Sequence, residues 1–231
     1  MNVETFSASV QMPFAMVVAS KRNSGKTMMV SQFIKALLHQ KKIFAPVVYS
    51  NTAHLNGDYS FLPKGLVRKF SPENLKQLMD KQSAIPKNKR PALLVVFDDV
   101  LGDERALGNK EILYAYAMGR HINIHPVLIS QTANRVLTPP IRNNADYFVL
   151  SRLNRQQLGE VWESITNMEK REFIQFVEEV NKHFTFVVVD NTGHSNQPEE
   201  FLKLIRATPE KSVTKSINEE SDDADEWGCP P

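Results

Sequence analysis

The chain of 231 residues contains a single cysteine, Cys229, so it cannot close an intrachain disulfide bond. A lone cysteine is typical of proteins that fold in a reducing compartment, and the sequence therefore predicts an intracellular location. No apolar run approaches the roughly 18 residues of a membrane-spanning helix. The first residues also lack the basic segment and apolar core of a secretion signal. We therefore expect a protein that neither spans a membrane nor is secreted.

Charge is unevenly distributed along the chain, although the net charge is only +2. From residue 208 to 231 there are seven acidic and two basic residues, which gives this tail −5 and leaves residues 1–207 with +7. A basic body with an acidic tail is compatible with a nucleic-acid partner. A solvated surface with a small excess of bases explains the same numbers.

One segment, residues 19–27, has the sequence ASKRNSGKT. The apolar residues 14–18 precede it, and apolar residues at helical spacing follow it: Met29, Phe33, Ile34, Leu37 and Leu38. A strand, a short polar loop, Gly-Lys-Thr and a helix form the context of a phosphate-binding P-loop. Backbone N–H groups and the helix dipole would attract phosphate there. The predicted nucleotide-binding residues are Ser20, Asn23, Ser24, Gly25, Lys26, Thr27 and Met28.

In this loop Lys26 is expected to reach the β- and γ-phosphates of ATP, and the Thr27 hydroxyl is expected to hold Mg²⁺. The P-loop consensus begins with a glycine where this chain has Ser20. Because glycine enters unusual backbone angles without penalty, we expect serine to occupy that bend at some cost. The alternative is a basic, polar turn that binds nothing.

Further apolar runs predict additional strands, and helical patterns alternate with them. Strands are predicted at residues 45–49, 66–70, 92–97, 126–130, 147–150 and 183–190; helices are predicted from residue 71 onwards and at 104–120, 155–164 and 169–182. Residues 1–12 are expected to add an edge strand or an arm, and residues 51–65 to form a long loop. Residues 201–207 fit either a hairpin partner of the last strand or a final helix.

This alternation predicts an α/β protein with the P-loop NTPase fold: a mainly parallel central sheet flanked by helices, ending in a C-terminal strand pair. We expect one ATPase domain over residues 1–207. The tail, residues 208–231, has few apolar residues and is expected to be disordered.

Three polar side chains directly follow apolar strands, as Lys26 does: Asp98, Asp99 and Gln131. In parallel sheets ligands bind at the carboxyl ends of the strands, so these residues are expected to meet at one edge. Asp98 would hold Mg²⁺ with Thr27, and Asp99 would serve as the general base for the attacking water. Gln131 would contact the γ-phosphate or that water. Taken alone, an Asp-Asp pair after a strand is more often just a turn or a helix cap than a catalytic pair.

A series of motifs along the chain resembles that of the poxvirus-type viral genome-packaging ATPases, which belong to the FtsK–HerA superfamily of P-loop motors. The motifs are Asp98-Asp99, Gly119-Arg120-His121, Ser130-Gln131 and Pro139-Pro140-x-Arg142-x-Asn144-Ala145-Asp146. The resemblance covers roughly residues 14 to 207.

The resemblance implies an ATP- and Mg²⁺-dependent motor that drives double-stranded DNA into a preformed capsid. It implies a homo-oligomeric ring, a pentamer or hexamer, with capsid or portal proteins as partners. It also implies a place in the host cell interior at virus assembly sites, or association with the virion. In such rings a neighbouring subunit supplies an arginine to ATP. Arg142 is the first candidate, Arg120 and Arg152 are the next, and a surface ion pair is the alternative for Arg142.

Spacing does not decide which loop would grip DNA. The candidate loops are residues 51–68, with Lys64 and Arg68, and residues 101–110, with Arg105 and Lys110. Two other functions fit the P-loop as well. A nucleoside or nucleotide kinase would phosphorylate an acceptor rather than release phosphate, and a nucleotide-gated DNA-anchoring assembly protein would bind ATP without turnover.

Overall fold

The computed structural model describes residues 1–98, 100, 110–133, 136–163, 168–180, 182, 184–193 and 197–209. Within them eight strands form one sheet: β1 Met16–Ser20, β2 Ala45–Ser50, β3 Val67–Arg68, β4 Leu93–Asp98, β5 Ile124–Ser130, β6 Tyr147–Ser151, β7 Thr185–Asp190 and β8 Leu202–Arg206. Their order is β3-β2-β4-β5-β1-β6-β7-β8. The predicted mainly parallel α/β sheet is confirmed.

The central strands are parallel and buried on both faces, as their continuous apolar sequences predict. Strand β5 lies between β1 and β4, with Val17 opposite Leu128 and Phe97 opposite Leu128. The carboxyl ends of these three strands therefore lie side by side. Strands β7 and β8 are antiparallel to their neighbours and form the predicted C-terminal pair.

Helices cover both faces of the sheet. They are α1 Val3–Ser9, α2 Lys26–His39, α3 Ala53–Asn56, α4 Pro72–Ala84, α5 Lys110–Met118, α6 Pro139–Arg142, α7 Arg155–Trp162, α8 Lys170–Val180 and α9 Pro198–Phe201. Side chains of α1 and α2 share one core with residues such as Val18 of β1. Side chains of α4, α5, α7 and α8 share the opposite core, which includes Val17. Alternate residues of β1 thus belong to the two cores.

The expectation of an edge strand or arm over residues 1–12 is wrong for Val3–Ser9, which form helix α1, and only Asn2 pairs with the sheet edge, in an isolated bridge to Arg206. The side chain of Asn2 accepts a hydrogen bond from the backbone N–H of Thr5 at 2.7 Å and caps the helix. Phe6 is fully buried, with its ring 5.7 Å from that of Phe33. The Lys42 ammonium donates to three carbonyl oxygens at the C-terminal end of the helix, those of Ser7, Ala8 and Val10, at 2.6–2.9 Å.

Other boundaries also differ from the predictions. The predicted loop at 51–65 contains α3 and the start of a 3₁₀ turn, Lys64–Leu66, and the strand predicted at 66–70 is only β3. Residues 202–206 are the hairpin partner of β7 and not a final helix. The part of the helix predicted before residue 110, and the tail from residue 210 onwards, lie outside the described residues. None of the helices in the described part of the chain is long and apolar enough to cross a membrane.

His125 of β5 is a titratable side chain that is buried in the core. It is fully buried, its ring lies 5.3 Å from the ring of Phe14, and its Nδ1 accepts a hydrogen bond from the Phe14 backbone N–H at 3.3 Å. Burial lowers the pKa of His125 to about 4. The folded protein therefore holds this imidazole neutral at pH values where an unfolded chain would protonate it.

We predict that the free energy of unfolding decreases as pH is lowered, because the folded protein keeps His125 neutral. Its folded pKa lies below the unfolded value, so its contribution is present above about pH 6.5 and declines as pH falls towards about 4, by about 2 kcal/mol between pH 7 and pH 5. Urea unfolding of His125→Asn should show a flatter pH dependence than the wild type. The exposed His39, as His39→Gln, is the matched control and should leave the wild-type slope unchanged.

Candidate functional site

The phosphate loop joins the buried strand β1 to helix α2. Gly25 is the N-cap of α2, and no side chain caps the first turn. The N–H groups at this end of a 14-residue helix therefore remain directed at the loop, as an anion site requires. Gly25 has φ +87° and Asn23 has φ +57°, so the chain turns through left-handed conformations just before the helix.

Ser20 does not occupy a bend that needs glycine. It is the last residue of β1, and its φ is not positive. Its buried hydroxyl donates to the hydroxyl of Ser24, which is also buried. The substitution of the consensus glycine thus places a hydrogen bond behind the loop, and the backbone cost that we expected at Ser20 does not arise.

Glycine is needed at position 25 instead. Besides its positive φ, a Cβ atom on Gly25 would lie 2.5 Å from Cδ1 of Phe184, which is closer than van der Waals contact allows. Phe184 itself has φ +54° and directly precedes β7. The ring of Phe184 therefore packs against the phosphate loop from the antiparallel side of the sheet.

A cavity of about 280 Å³, here called the phosphate-loop cavity, lies at the carboxyl ends of β1, β4 and β5. Its lining includes most of the predicted nucleotide and metal residues: Asn23, Gly25, Lys26, Thr27, Met28, Asp98 and Gln131. Residues far apart in sequence therefore meet where the order of apolar strands predicts. Ser20 and Ser24 lie behind the loop rather than in the lining.

Two other predicted residues are not placed in this cavity. Asp99 lies outside the described residues. Arg142 ends α6, five residues before β6 begins, and the Asp146 carboxylate in that connection accepts from the N–H of Ala15 at 2.7 Å, just before β1. Arg142 thus lies towards the amino ends of the strands, opposite its own phosphate loop.

Sequence reasoning missed three residues of the lining, Arg22, Thr52 and Asp58, and the buried Tyr59 beside them. The Tyr59 hydroxyl donates a 2.8 Å hydrogen bond to Oδ2 of Asp98. Burial and then the charge of Asp98 raise the pKa of Tyr59 well above its usual value, so the phenol remains a donor. Nothing in the polar run at 51–65 indicated that its middle folds back onto β4.

The oxygen atoms in the phosphate-loop cavity suit Mg²⁺. Thr27 offers a hydroxyl and Asp98 a carboxylate, the hard ligands that this ion prefers beside the phosphates of a nucleotide. Among the described residues no group of three histidine, cysteine, aspartate or glutamate side chains gathers at one place. A metal held by one carboxylate, one hydroxyl and phosphate oxygens does not need such a group.

A second, basic cavity of about 550 Å³ lies on the other side of the phosphate loop. Lys21, Arg22, Asn23, Arg152, Leu153 and Glu178 line it. Arg152 has φ +53°, and its guanidinium donates to the Asn23 carbonyl at 3.4 Å. Glu178 is paired with Arg155 through two hydrogen bonds of 2.9 and 3.0 Å. Positive charge therefore dominates this side of the loop.

The other candidate arginine, Arg120, is engaged within its own chain. Its guanidinium lies 3.2 Å from the carboxylate of Asp146 and donates to the carbonyl of Asn144 at 2.8 Å. Arg142 forms no ion pair with another described residue. Thus Arg120 is paired with Asp146, and Arg152 contacts its own phosphate loop. Arg142 does neither among the described residues.

Residues 5–198 match the family model described as "Poxvirus A32 protein". The chain belongs to the poxvirus A32 protein family. The family resemblance drawn from the motifs is therefore confirmed. A curated relative, the uncharacterized protein 015R of frog virus 3 (isolate Goorha), is 29% identical over 209 residues, covering 86% of this chain and 63% of the relative.

Solved structures of similar fold include B204, the DNA-packaging ATPase from Sulfolobus turreted icosahedral virus. It matches this poxvirus A32 family member with a TM-score of 0.59 and 15% identity, over 83% of this chain and 96% of B204. The genome-packaging NTPase B204 from Sulfolobus turreted icosahedral virus 2, solved in complex with AMPPCP, matches with a TM-score of 0.59 and 15% identity over 84% and 98% of the two chains. These likenesses confirm the P-loop NTPase fold.

We predict that Gly25→Ala disrupts the phosphate loop. The new methyl group meets Phe184, and a left-handed backbone costs a non-glycine residue about 1–2 kcal/mol. The variant should bind a fluorescent ATP analogue at least 10-fold more weakly than the wild type, as measured by titration. Gly65→Ala is the matched control, because its Cβ meets nothing within 4 Å and no positive φ is needed there. Equal affinities of the two variants would contradict the assignment of this loop.

Proposed function

We propose that this chain is an ATP-hydrolysing motor that translocates double-stranded DNA and packages a viral genome into a preformed capsid. The observation that carries the proposal is the meeting of Lys26, Thr27, Asp98 and Gln131 in one cavity at an uncapped helix N-terminus. Phosphoryl transfer depends mainly on positioning and on neutralising charge, and this set of side chains supplies both.

The comparisons support the same function. The chain belongs to the poxvirus A32 protein family. It shares its fold with B204 of Sulfolobus turreted icosahedral virus, described as a DNA-packaging ATPase, and with the genome-packaging NTPase B204 of virus 2, solved with AMPPCP. The chain spans about 63% of the length of the frog virus relative, so the activity of a complete protein is part of the proposal.

Nucleotide binding in this proposal begins with the N–H groups of the loop and of α2, which receive the phosphates of ATP. Lys26 donates to the β- and γ-phosphate oxygens and offsets their charge. Thr27 and Asp98 would hold Mg²⁺, which would supply positive charge to offset that of the phosphates. Ser20 and Ser24 support the loop from behind through their hydroxyl–hydroxyl bond.

Hydrolysis requires a water molecule in line with the γ-phosphate. Asp99 accepts a proton from this water while the water oxygen attacks the γ-phosphorus. The bond from that phosphorus to the β–γ bridging oxygen then breaks, which releases ADP and phosphate. Gln131 orients the water or contacts the γ-phosphate from the end of β5, between the strands of Lys26 and Asp98. Its position lets the segment after β5 respond to the loss of the γ-phosphate.

DNA is the proposed second substrate. The net charge of +7 over residues 1–207 suits a polyanion, and phosphate contacts make such binding fall steeply with salt. Lys64 and Arg68 lie near the end of the connection that also reaches Asp98 through Tyr59. The loop at 51–68 is therefore our first candidate for contact with DNA, and Lys110 and Arg105 of the other loop are the next.

A ring of identical subunits, a pentamer or a hexamer, is the proposed assembly, working with capsid or portal proteins at virus assembly sites or in the virion. An arginine from one subunit would reach ATP on the next. Arg142 remains the first candidate for this trans-acting residue because it lies away from its own phosphate loop and forms no ion pair with another described residue. Arg120 is tied to Asp146, and Arg152 adjoins its own loop.

The first test is phosphate release from ATP with and without long double-stranded DNA, at low and moderate salt. We expect DNA to stimulate release several-fold at low salt and the stimulation to fade as salt rises. Lys26→Ala should abolish release, and Asp99→Asn should bind ATP without cleaving it.

Three results would contradict parts of this proposal. A phosphorylated acceptor without free phosphate would indicate a kinase. ATP binding without turnover in any condition would indicate a nucleotide-gated assembly protein. Normal turnover by Asp99→Asn would remove that residue as the base.

The arginine from a neighbouring subunit is tested by mixing variants. Arg142→Ala alone should lose about 10³-fold or more in turnover, by analogy with arginine fingers in GTPases. Mixed with Lys26→Ala, it should regain activity, because the Arg142→Ala subunit keeps a complete phosphate loop and the Lys26→Ala neighbour keeps Arg142. Absence of rescue in rings shown by mass to contain both variants would rule out Arg142, and the same mixture with Arg152→Ala serves as the comparison.

A further inference from the structure

We propose that Tyr59 is a positioning residue that fixes the carboxylate of Asp98 for Mg²⁺, and that it ties the connection between β2 and β3 to the nucleotide site. The inference rests on the proposed function in one respect, namely that Asp98 is the metal ligand. No family motif that we recognised includes Tyr59, and its position in the sequence gives no sign of such a role.

The contact is short, buried and specific. The Tyr59 hydroxyl donates to Oδ2 of Asp98 at 2.8 Å, and the two residues are only 3% and 6% exposed. Strand β4 fixes the backbone of Asp98, whose Cα pairs with those of Ser50 and Ile129 on either side. The hydrogen bond from the Tyr59 hydroxyl then restricts the rotation of the Asp98 side chain. The bond uses one of the two carboxylate oxygens and aims the group into the cavity.

The backbone at Gly57 and Tyr59 adopts left-handed conformations. Gly57 has φ +67° and Tyr59 has φ +62°, and a left-handed conformation is uncommon for an aromatic residue. The N–H of Leu62 donates to the Tyr59 carbonyl at 2.9 Å, and both side chains are buried in the core shared with α2. Between the two left-handed residues, Asp58 lines the cavity. Strained backbone of this kind persists where the surrounding structure holds it, often at functional sites.

The hydrogen bond from Tyr59 holds the Asp98 carboxylate in a single orientation, which a metal ligand needs. Its loss should therefore weaken the response to Mg²⁺ while leaving the phosphate loop intact. A purely structural tyrosine would behave differently, because its removal would weaken nucleotide binding equally with and without the metal.

The test compares Tyr59→Phe with Tyr49→Phe in the full chain. Tyr49 is the matched control: it is a fully buried tyrosine, its ring is stacked 5.8 Å from Phe97 of β4, and its hydroxyl has no partner among the described residues. Binding of a fluorescent ATP analogue is titrated in EDTA and then at increasing Mg²⁺, so the readout does not depend on turnover.

We expect Tyr59→Phe to bind the analogue in EDTA within about 2-fold of the wild type and to need about 10-fold or more Mg²⁺ for half of the metal-dependent change. Tyr49→Phe should match the wild type in both titrations. An unchanged Mg²⁺ midpoint in Tyr59→Phe, or an equal loss of affinity with and without Mg²⁺, would overturn the proposal. So would a wild type whose nucleotide binding ignores Mg²⁺. Absence of ATP turnover in a wild type that responds to Mg²⁺ would instead contradict the proposed function alone.

Discussion

The uncapped amino terminus of α2, held at the end of the buried strand β1, is the constraint on which the site depends. No side chain caps the first turn of this helix, and its dipole favours an anion at that end. Strand β1 is paired on both sides, so the loop between Ser20 and Gly25 starts from a fixed point. The Ser20–Ser24 bond and the Phe184 ring then restrict its path.

The parallel sheet brings polar side chains from two further strands to this end of α2. Because β5 lies between β1 and β4, Gln131 is placed between Lys26 and Asp98 although the three are distant in sequence. The same arrangement leaves the amino ends of the strands for other contacts, including the Arg120–Asp146 pair. One edge of the sheet thus holds the phosphate-loop cavity, and at the opposite edge Asp146 ties the connection between α6 and β6 to Ala15 and Arg120.

Local sequence patterns were sufficient for the sheet and for much of the cavity. Continuous apolar runs identify parallel strands, and polar residues directly after them must meet at one edge. Helix α1 was missed because a short amphipathic segment gains its stability from Phe6 packing on Phe33 and from Lys42, which are contacts made by tertiary structure. Tyr59 was missed for the same reason, since its partner lies 39 residues away. The backbone strain expected at Ser20 was wrong, because the consensus motif does not give the φ angle of the residue at that position.

The Phe184 ring lies against Gly25, so the antiparallel end of the sheet contacts the predicted phosphate loop. Among the described residues, those that line the phosphate-loop cavity all precede residue 132, yet the ring that packs against the loop comes from the residue just before β7. Strands β7 and β8 follow the parallel strands in the chain, and the sequence alone does not indicate that residues beside them contact the phosphate loop. In the folded chain the residue that directly precedes β7 packs against the loop, so under the proposed function we expect changes in the β7–β8 hairpin to alter the affinity for phosphate without changing a side chain of the cavity.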